Sequence, residues 1–164
     1  MISKKMQTAL NKQINAELYS SYLYLSMAAW AHSQNLSGTA AWMEVQAKEE
    51  NAHGMKLYGQ LLERGGAVTL EAIAKPPAVW KSALQLFKVV AEHEAHVTSL
   101  INGLMDVAIA EKDYASVEFL NWFVKEQVEE EANAALIVAK LEMVGDSKSG
   151  LLMLDGKIGK RGQS

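Results

Sequence analysis

The chain has 164 residues, 49% hydrophobic and 21% charged, with 2 prolines, 0 cysteines and a formal net charge of -3. This composition suits one soluble globular domain and fits neither a disordered nor a membrane-spanning chain. It excludes disulfides, thiolate zinc sites and cysteine-held iron–sulfur clusters, and the acidic balance gives no support for nucleic-acid binding.

Ala, Leu, Glu, Lys and Met dominate long stretches and favour helix. Ser3 is suited to cap a first helix running to about Ser33, before a loop around Asn35 and Gly38. Met1 to Gln7 enters this amphipathic pattern without an apolar core segment, so no signal peptide is expected. Ser37 is placed to cap a second helix that ends at Gly65-Gly66. Gly65 to Ala78, containing Pro76-Pro77, reads as a long connection. A third helix is predicted from about Val79 to Ala110 and a fourth, capped by Asp113, to about Val144, where Gly145 stops it. A short fifth helix is expected over roughly Ser147 to Ile158. No apolar run approaches the ~18 residues of a membrane span, and the expected compartment is the cytoplasm.

Helices of about 30 residues are ~45 Å long. Short loops make the first and second helices antiparallel, and likewise the third and fourth. The long connection can travel the length of the bundle, so the third helix would run parallel to the second. The expected fold is therefore all-α: an antiparallel four-helix bundle (about 3–144) with a long crossover between helices 2 and 3 and a short C-terminal helix (about 147–158), forming one domain over 1–164. Two separate hairpins joined by a linker are the alternative, but neither hairpin alone could bury its apolar stripe.

Stepping about 100° per residue places polar residues within the apolar stripes. Glu17 shares a face with Leu10, Ile14, Tyr24 and Ala28. Glu50 is flanked by Met43, Ala47, Leu57 and Leu61, with His53 at the edge of that face. Glu94 lies among Phe87, Val90, Val97 and Ile101, and Gln127 among Leu120, Phe123 and Ala134, with Glu130 one turn on. Each interruption is near mid-helix, so four polar clusters converge at one level. Buried carboxylates repel one another and cost several kcal/mol each. The chain's two arginines, Arg64 and Arg161, lie near helix or chain ends, and no lysine enters a core stripe. Protons or bound cations must offset the charge, and carboxylates with one imidazole suit iron and manganese above all, with zinc possible. The spacing repeats: 33 positions separate Glu17 from Glu50 and also Glu94 from Gln127.

Glu49, Glu126 and Glu129 lie beside the inward set, where they read either as a third metal position sharing Glu130 or as an acidic helix surface. Tyr24, two turns from Glu17, reads as a core tyrosine bonded to a carboxylate or as a redox participant, the first being commoner. Trp122 reads as packing against the site. His32, His93 and His96 have no supporting constellation and read as surface or interface residues. Tyr19, Leu23 and Trp30 fall roughly 200–240° from Glu17, which predicts an outward apolar stripe that meets another copy of the chain. Leu151 to Leu154 cannot join the four-helix core and predict a further interface.

The blocks Asn15-Ala16-Glu17-Leu18-Tyr19-Ser20-Ser21-Tyr22-Leu23-Tyr24, Glu49-Glu50-Asn51-Ala52-His53, Glu92-His93-Glu94 and Glu126-Gln127-Val128-Glu129-Glu130-Glu131 resemble the bacterial non-haem ferritins, members of the ferritin-like dinuclear carboxylate proteins. The resemblance covers almost the whole chain. It implies one iron site at Glu17, Glu50 and His53, and a second at Glu50, Glu94 and Glu130 with Gln127 nearby. It also implies a third at Glu49, Glu126, Glu129 and Glu130. The implied function is iron storage and detoxification: two Fe(II) are oxidised by O2 or H2O2, and ferric mineral is kept inside a hollow shell of 24 subunits. Bacterioferritins carry a second Glu-x-x-His and a haem-binding methionine after the first metal Glu. Here those places hold Gln127-x-x-Glu130 and Asn51, so no haem is expected. A dinuclear oxygenase acting on an organic substrate, or a shell that has lost oxidation, fits these residues less well.

Overall fold

The computed structural model describes residues 2–160. Five helices follow in order: α1 (Lys4–Ser33), α2 (Ser37–Glu63), α3 (Ala83–Ala110), α4 (Tyr114–Val144) and α5 (Lys148–Ile158). None of them is long and apolar enough to cross a membrane. Arg161 lies outside the described residues.

The helix ends follow from local chemistry. The hydroxyls of Ser3, Ser82 and Ser147 accept from the backbone N–H groups of Met6, Gln85 and Gly150, and the Asp113 carboxylate accepts from that of Ser116. At the C-terminus of α2, Gly65 (φ 73°) lets Gly66 N donate to Leu61 O and Gly65 N to Leu62 O. That double bond is the Schellman closure, and it stops the helix. Asn35 (φ 58°) and Lys112 (φ 55°) close α1 and α3 in the same way, although neither is glycine.

The second helix starts differently from the expectation. Ser37 is its first helical residue and Leu36 precedes it without a side-chain bond. The orphan donors of this terminus are satisfied by a residue far along the chain: Asp155 of α5 accepts from Gly38 N at 2.8 Å, Thr39 N at 2.7 Å and Thr39 Oγ1 at 2.7 Å. A Cβ at Gly38 would sit 1.8 Å from the carbonyl oxygen of Asp155, so only glycine permits this approach. A carboxylate at a helix N-terminus also complements the helix dipole.

The third helix begins at Ala83 rather than near Val79. Trp80 accounts for the difference, because it turns inward and packs edge-to-face on Trp30 with ring centroids 6.0 Å apart. The crossover before it is strapped along α1. Gln7 Oε1 accepts from Ala67 N, Asn11 exchanges bonds with Ala67 O and Thr69 N, and Asn15 donates to Glu71 O and Ala72 O. Ser26 then donates to Pro77 O. The crossover thus runs from the start of α1 towards its end, returning the chain to the level at which α2 began. Hence α3 runs parallel to α2.

The outward stripe expected on α1 is corrected by these contacts. Leu23 and Trp30 are buried within the chain against Trp80 and the upper core, and Tyr19 packs there beside His93. Helix α5 is only partly an outward surface. Leu154 and Ile158 are buried in that same core, whereas Leu152 (70% exposed) and Met153 (68%) face away.

The apolar interior falls into two clusters. One, around Tyr24, Met27, Trp42, Phe87 and Val90, reaches to α5. The other, around Met6, Leu10, Leu57, Ile101 and Phe123, fills the opposite end. Burying each such side chain contributes ~1.5–3 kcal/mol. Between them lies a layer of buried polar groups.

Candidate metal centre

That layer contains Glu17, Glu50, His53, Glu94, Gln127 and Glu130, all buried. Each is held at mid-helix on a stripe whose flanking turns are anchored in the two apolar clusters. Glu17 comes from α1, Glu50 and His53 from α2, Glu94 from α3, and Gln127 and Glu130 from α4.

Among the described residues, Glu17, Glu50 and His53 form a group in which one potential ligand atom from each lies within 4.8 Å of the others. Nδ1 of His53 is 3.5 Å from Oε2 of Glu50. The His53 ring is held edge-on by Trp122 and Phe123, with centroids 5.3 and 6.0 Å away. Trp122 therefore packs on the imidazole, and Lys56 Nζ sits over the Trp122 ring, 3.7 Å from its centroid.

The other half is organised by hydrogen bonds. Tyr24 donates its hydroxyl to Glu94 Oε1. Gln127 Nε2 lies 3.2 Å from both the backbone oxygen and Oε2 of Glu94, and 3.3 Å from Thr98 Oγ1. Glu130 Oε2 accepts from Gln46 Nε2 at 2.7 Å, and Glu17 Oε1 accepts from Gln13 Nε2 at 2.8 Å. Gln13 and Gln46 were not singled out from sequence. The available signal was their phase: each precedes a site glutamate by one turn on the same inward stripe.

The electrostatics are those of an anion-rich layer. Burial, and then repulsion from Glu50, pushes Glu17 well above the usual carboxylate range. Burial, then the charge of Glu94, pushes Glu50 up to about 8. Burial also raises Glu94, although the donors Tyr24 and Gln127 pull it back. The Tyr24 phenol is raised by burial and by Glu94 beside it. Two carboxylate oxygens in this layer, Glu17 Oε2 and Glu50 Oε1, have no hydrogen-bond donor. In native interiors such atoms are rare and call for a partner, either a proton on one of these raised carboxyls or a bound cation.

Of the remaining expected residues, Glu49 and Glu126 are half-buried and Glu129 is exposed. Glu49 adds repulsion at Glu50. These three are not drawn into a ligand-distance group of the kind formed by Glu17, Glu50 and His53. Of the surface or interface roles expected for His93, the surface one does not hold, since the residue is half-buried. It lies between the rings of Tyr19 and Tyr24, bonded to Ser20 Oγ at 2.8 Å, and burial followed by the nearby His96 lowers it to about 4. His32 is exposed and pairs with Glu44 at 2.9 Å.

Residues 7–144 match the family model described as a ferritin-like domain. The chain is 44% identical over 161 residues to a bacterial non-heme ferritin of Bacteroides fragilis, covering 98% of this chain and 100% of that protein. It is 39% identical over 155 residues to a bacterial non-heme ferritin of Campylobacter jejuni, covering 94% and 93%. Among solved structures, an open-pore ferritin from the hyperthermophilic archaeon Archaeoglobus fulgidus superposes with a TM-score of 0.97. It is 51% identical and covers 98% of this chain and 99% of that one.

Proposed function

We propose, for a chain that belongs to the ferritin family, that the buried layer oxidises Fe(II) to Fe(III), and that the chain stores the product as ferric mineral inside a 24-subunit shell in the cytoplasm. Iron storage is the function of this chain, and iron is the substrate of the layer. One observation carries the reading above others: Glu17, Glu50 and His53 each offer a buried ligand atom within 4.8 Å of the others.

In this reading Glu17, Glu50 and His53 hold one Fe(II), and Glu50, Glu94 and Glu130 hold a second with Gln127 beside it. Carboxylates bind Fe(III) more strongly than Fe(II), so the layer favours loss of an electron from each iron. Two irons at one level supply the two electrons that reduce O2 to H2O2, or H2O2 to water, in one encounter. The half built from Gln127 and Glu130 lacks an imidazole and holds its iron more loosely, which suits release of Fe(III) to the cavity. Glu49, Glu126 and Glu129, with Glu130, provide a third position on the way out. Tyr24 serves as a hydrogen-bonded core residue of the layer and is placed to take part in electron transfer.

Assembly into a homo-oligomer is supported by apolar side chains left outside the core, including Tyr22 and Leu25 on α1, Met143 on α4, and Leu152 and Met153 on α5. The test combines size-exclusion chromatography with aerobic Fe(II) loading. A large shell that takes up many irons per chain is expected; a monomer or dimer that stops at two would overturn storage. Rapid-mixing absorbance of Glu130→Ala is expected to show slowed oxidation and lost turnover, and unchanged kinetics would remove Glu130 from the site.

A further inference from the structure

We propose that Gln13 and Gln46 are positioning residues, each fixing one oxygen of an outer carboxylate so that Glu17 and Glu130 engage metal through the other, while Glu50 leaves its Oε1 without a donor to join the two halves. This rests on reading the layer as a dinuclear metal site.

Neither glutamine is explained by packing. Gln13 and Gln46 are both buried, Gln46 completely. A buried glutamine loses more side-chain freedom than a buried leucine. It also brings an amide that needs partners. Each spends an N–H on a carboxylate: Gln13 on Glu17 Oε1 at 2.8 Å within α1, and Gln46 across from α2 on Glu130 Oε2 at 2.7 Å. Gln46 sits one turn before Glu50 and donates across the bundle to Glu130 of α4. The orientation is chemically determined, since an ionised carboxylate oxygen accepts and only the nitrogen end of an amide donates.

The pattern extends around the layer. Glu94 has Gln127 on Oε2 and Tyr24 on Oε1. Glu17 keeps Oε2 without a donor, and Glu50 has Oε1 without a donor and His53 Nδ1 at 3.5 Å from Oε2. Neutral amides orient the anions without neutralising them, whereas a lysine or arginine in the same places would compete with the metal. Each amide also acts on one half: Gln13 on the His53 half, Gln46 on the Glu130 half.

The experiment is a Co(II) titration of the intact assembled protein, followed by calorimetry and by visible d–d absorption. Its variants are Gln13→Leu and Gln46→Leu, with Gln46→Met as a second form of similar length should leucine impair folding. The expected result is a loss of about tenfold or more in affinity for one Co(II) equivalent per variant, the looser one for Gln46 and the tighter one for Gln13. The other equivalent stays within about twofold. The d–d intensity of the affected equivalent is expected to change as its carboxylate turns to two-oxygen ligation, which a purely structural defect would not produce. Wild-type titrations in both variants, or equal weakening of both equivalents, would overturn the proposal. Wild-type protein that binds fewer than two Co(II) per chain would instead overturn the dinuclear reading beneath it.

Discussion

Tyr24 of α1 donates its hydroxyl to Oε1 of Glu94 on α3, joining two helices through a carboxylate at the centre of the bundle. The tyrosine is fully buried, with Trp42 and His93 edge-on at 6.3 and 6.1 Å. Tyr24→Phe keeps the ring and removes the donor. It is expected to cost about 1.5–3 kcal/mol, the range for a hydrogen bond to a charged group. Thermal unfolding of metal-free protein checks this, and Co(II) stoichiometry should remain unchanged because Gln127 still holds Oε2.

Glu50 is raised first by burial and then by the charges of Glu94, Glu130 and Glu49. Glu50→Gln should therefore stabilise the metal-free protein near neutral pH, by about 1–3 kcal/mol. The same change should abolish the rise in melting temperature that added Co(II) gives the wild type. Paired melting curves with and without metal measure both. A variant less stable than wild type in the absence of metal would contradict the account of a strained anionic layer.

The latch between Asp155 and the start of α2 predicts a local failure. In Gly38→Ala the new methyl collides with the backbone of Asp155, so α5 must shift or detach. Overpacking of this kind costs about 1–3 kcal/mol. Limited proteolysis should cut between α4 and α5 well below the temperature at which the four long helices melt. Asp155→Asn, which keeps the shape and loses the charge, should give a milder form of the same defect.

Asp113 caps α4 and pairs with Arg64 at 3.0 Å. Burial raises its carboxyl, but bonds from Ser116 and Arg64 outweigh burial and leave it below the ordinary value. A depressed native pKa gives stability that is present above the unfolded value, ~3.9, and is lost as pH falls through the native one. Asp113→Asn keeps the cap but loses the charge facing Arg64 and the helix dipole, so it should be less stable than wild type by about 0.3–1 kcal/mol near neutrality, with the gap closing in acid. Melting temperatures at a series of pH values read this directly.

The helices and their mid-level polar residues were legible because period and charge are local properties. Glu17, Glu50, His53, Glu94, Gln127 and Glu130 stand out as polar interruptions of apolar stripes, and their helical phase alone brings them to one layer. What escaped depended on partners distant in the chain. Ser37 resembles a cap by residue type, but the terminus is satisfied by Asp155, 116 residues beyond Thr39. Tyr19, Leu23 and Trp30 look outward until Trp80 folds over them, and helical phase does not reveal what an irregular crossover will cover. Gln7, Asn11 and Asn15 recur every four residues on α1, and together they form the seam that holds that crossover.

The division of the layer between the two helical hairpins has a consequence for the order of events in folding. Glu17, Glu50 and His53 belong to the hairpin of α1 and α2, whereas Glu94, Gln127 and Glu130 belong to that of α3 and α4. Contacts within each hairpin are the more local ones and favour its early formation, but neither hairpin buries its apolar stripe until the two dock, and only then do the halves of the layer meet. A chain caught between these steps has the histidine half but not its counterpart. On the proposed function it would have no second electron source beside the first, so paired electron delivery to an oxidant is confined to chains that have finished folding.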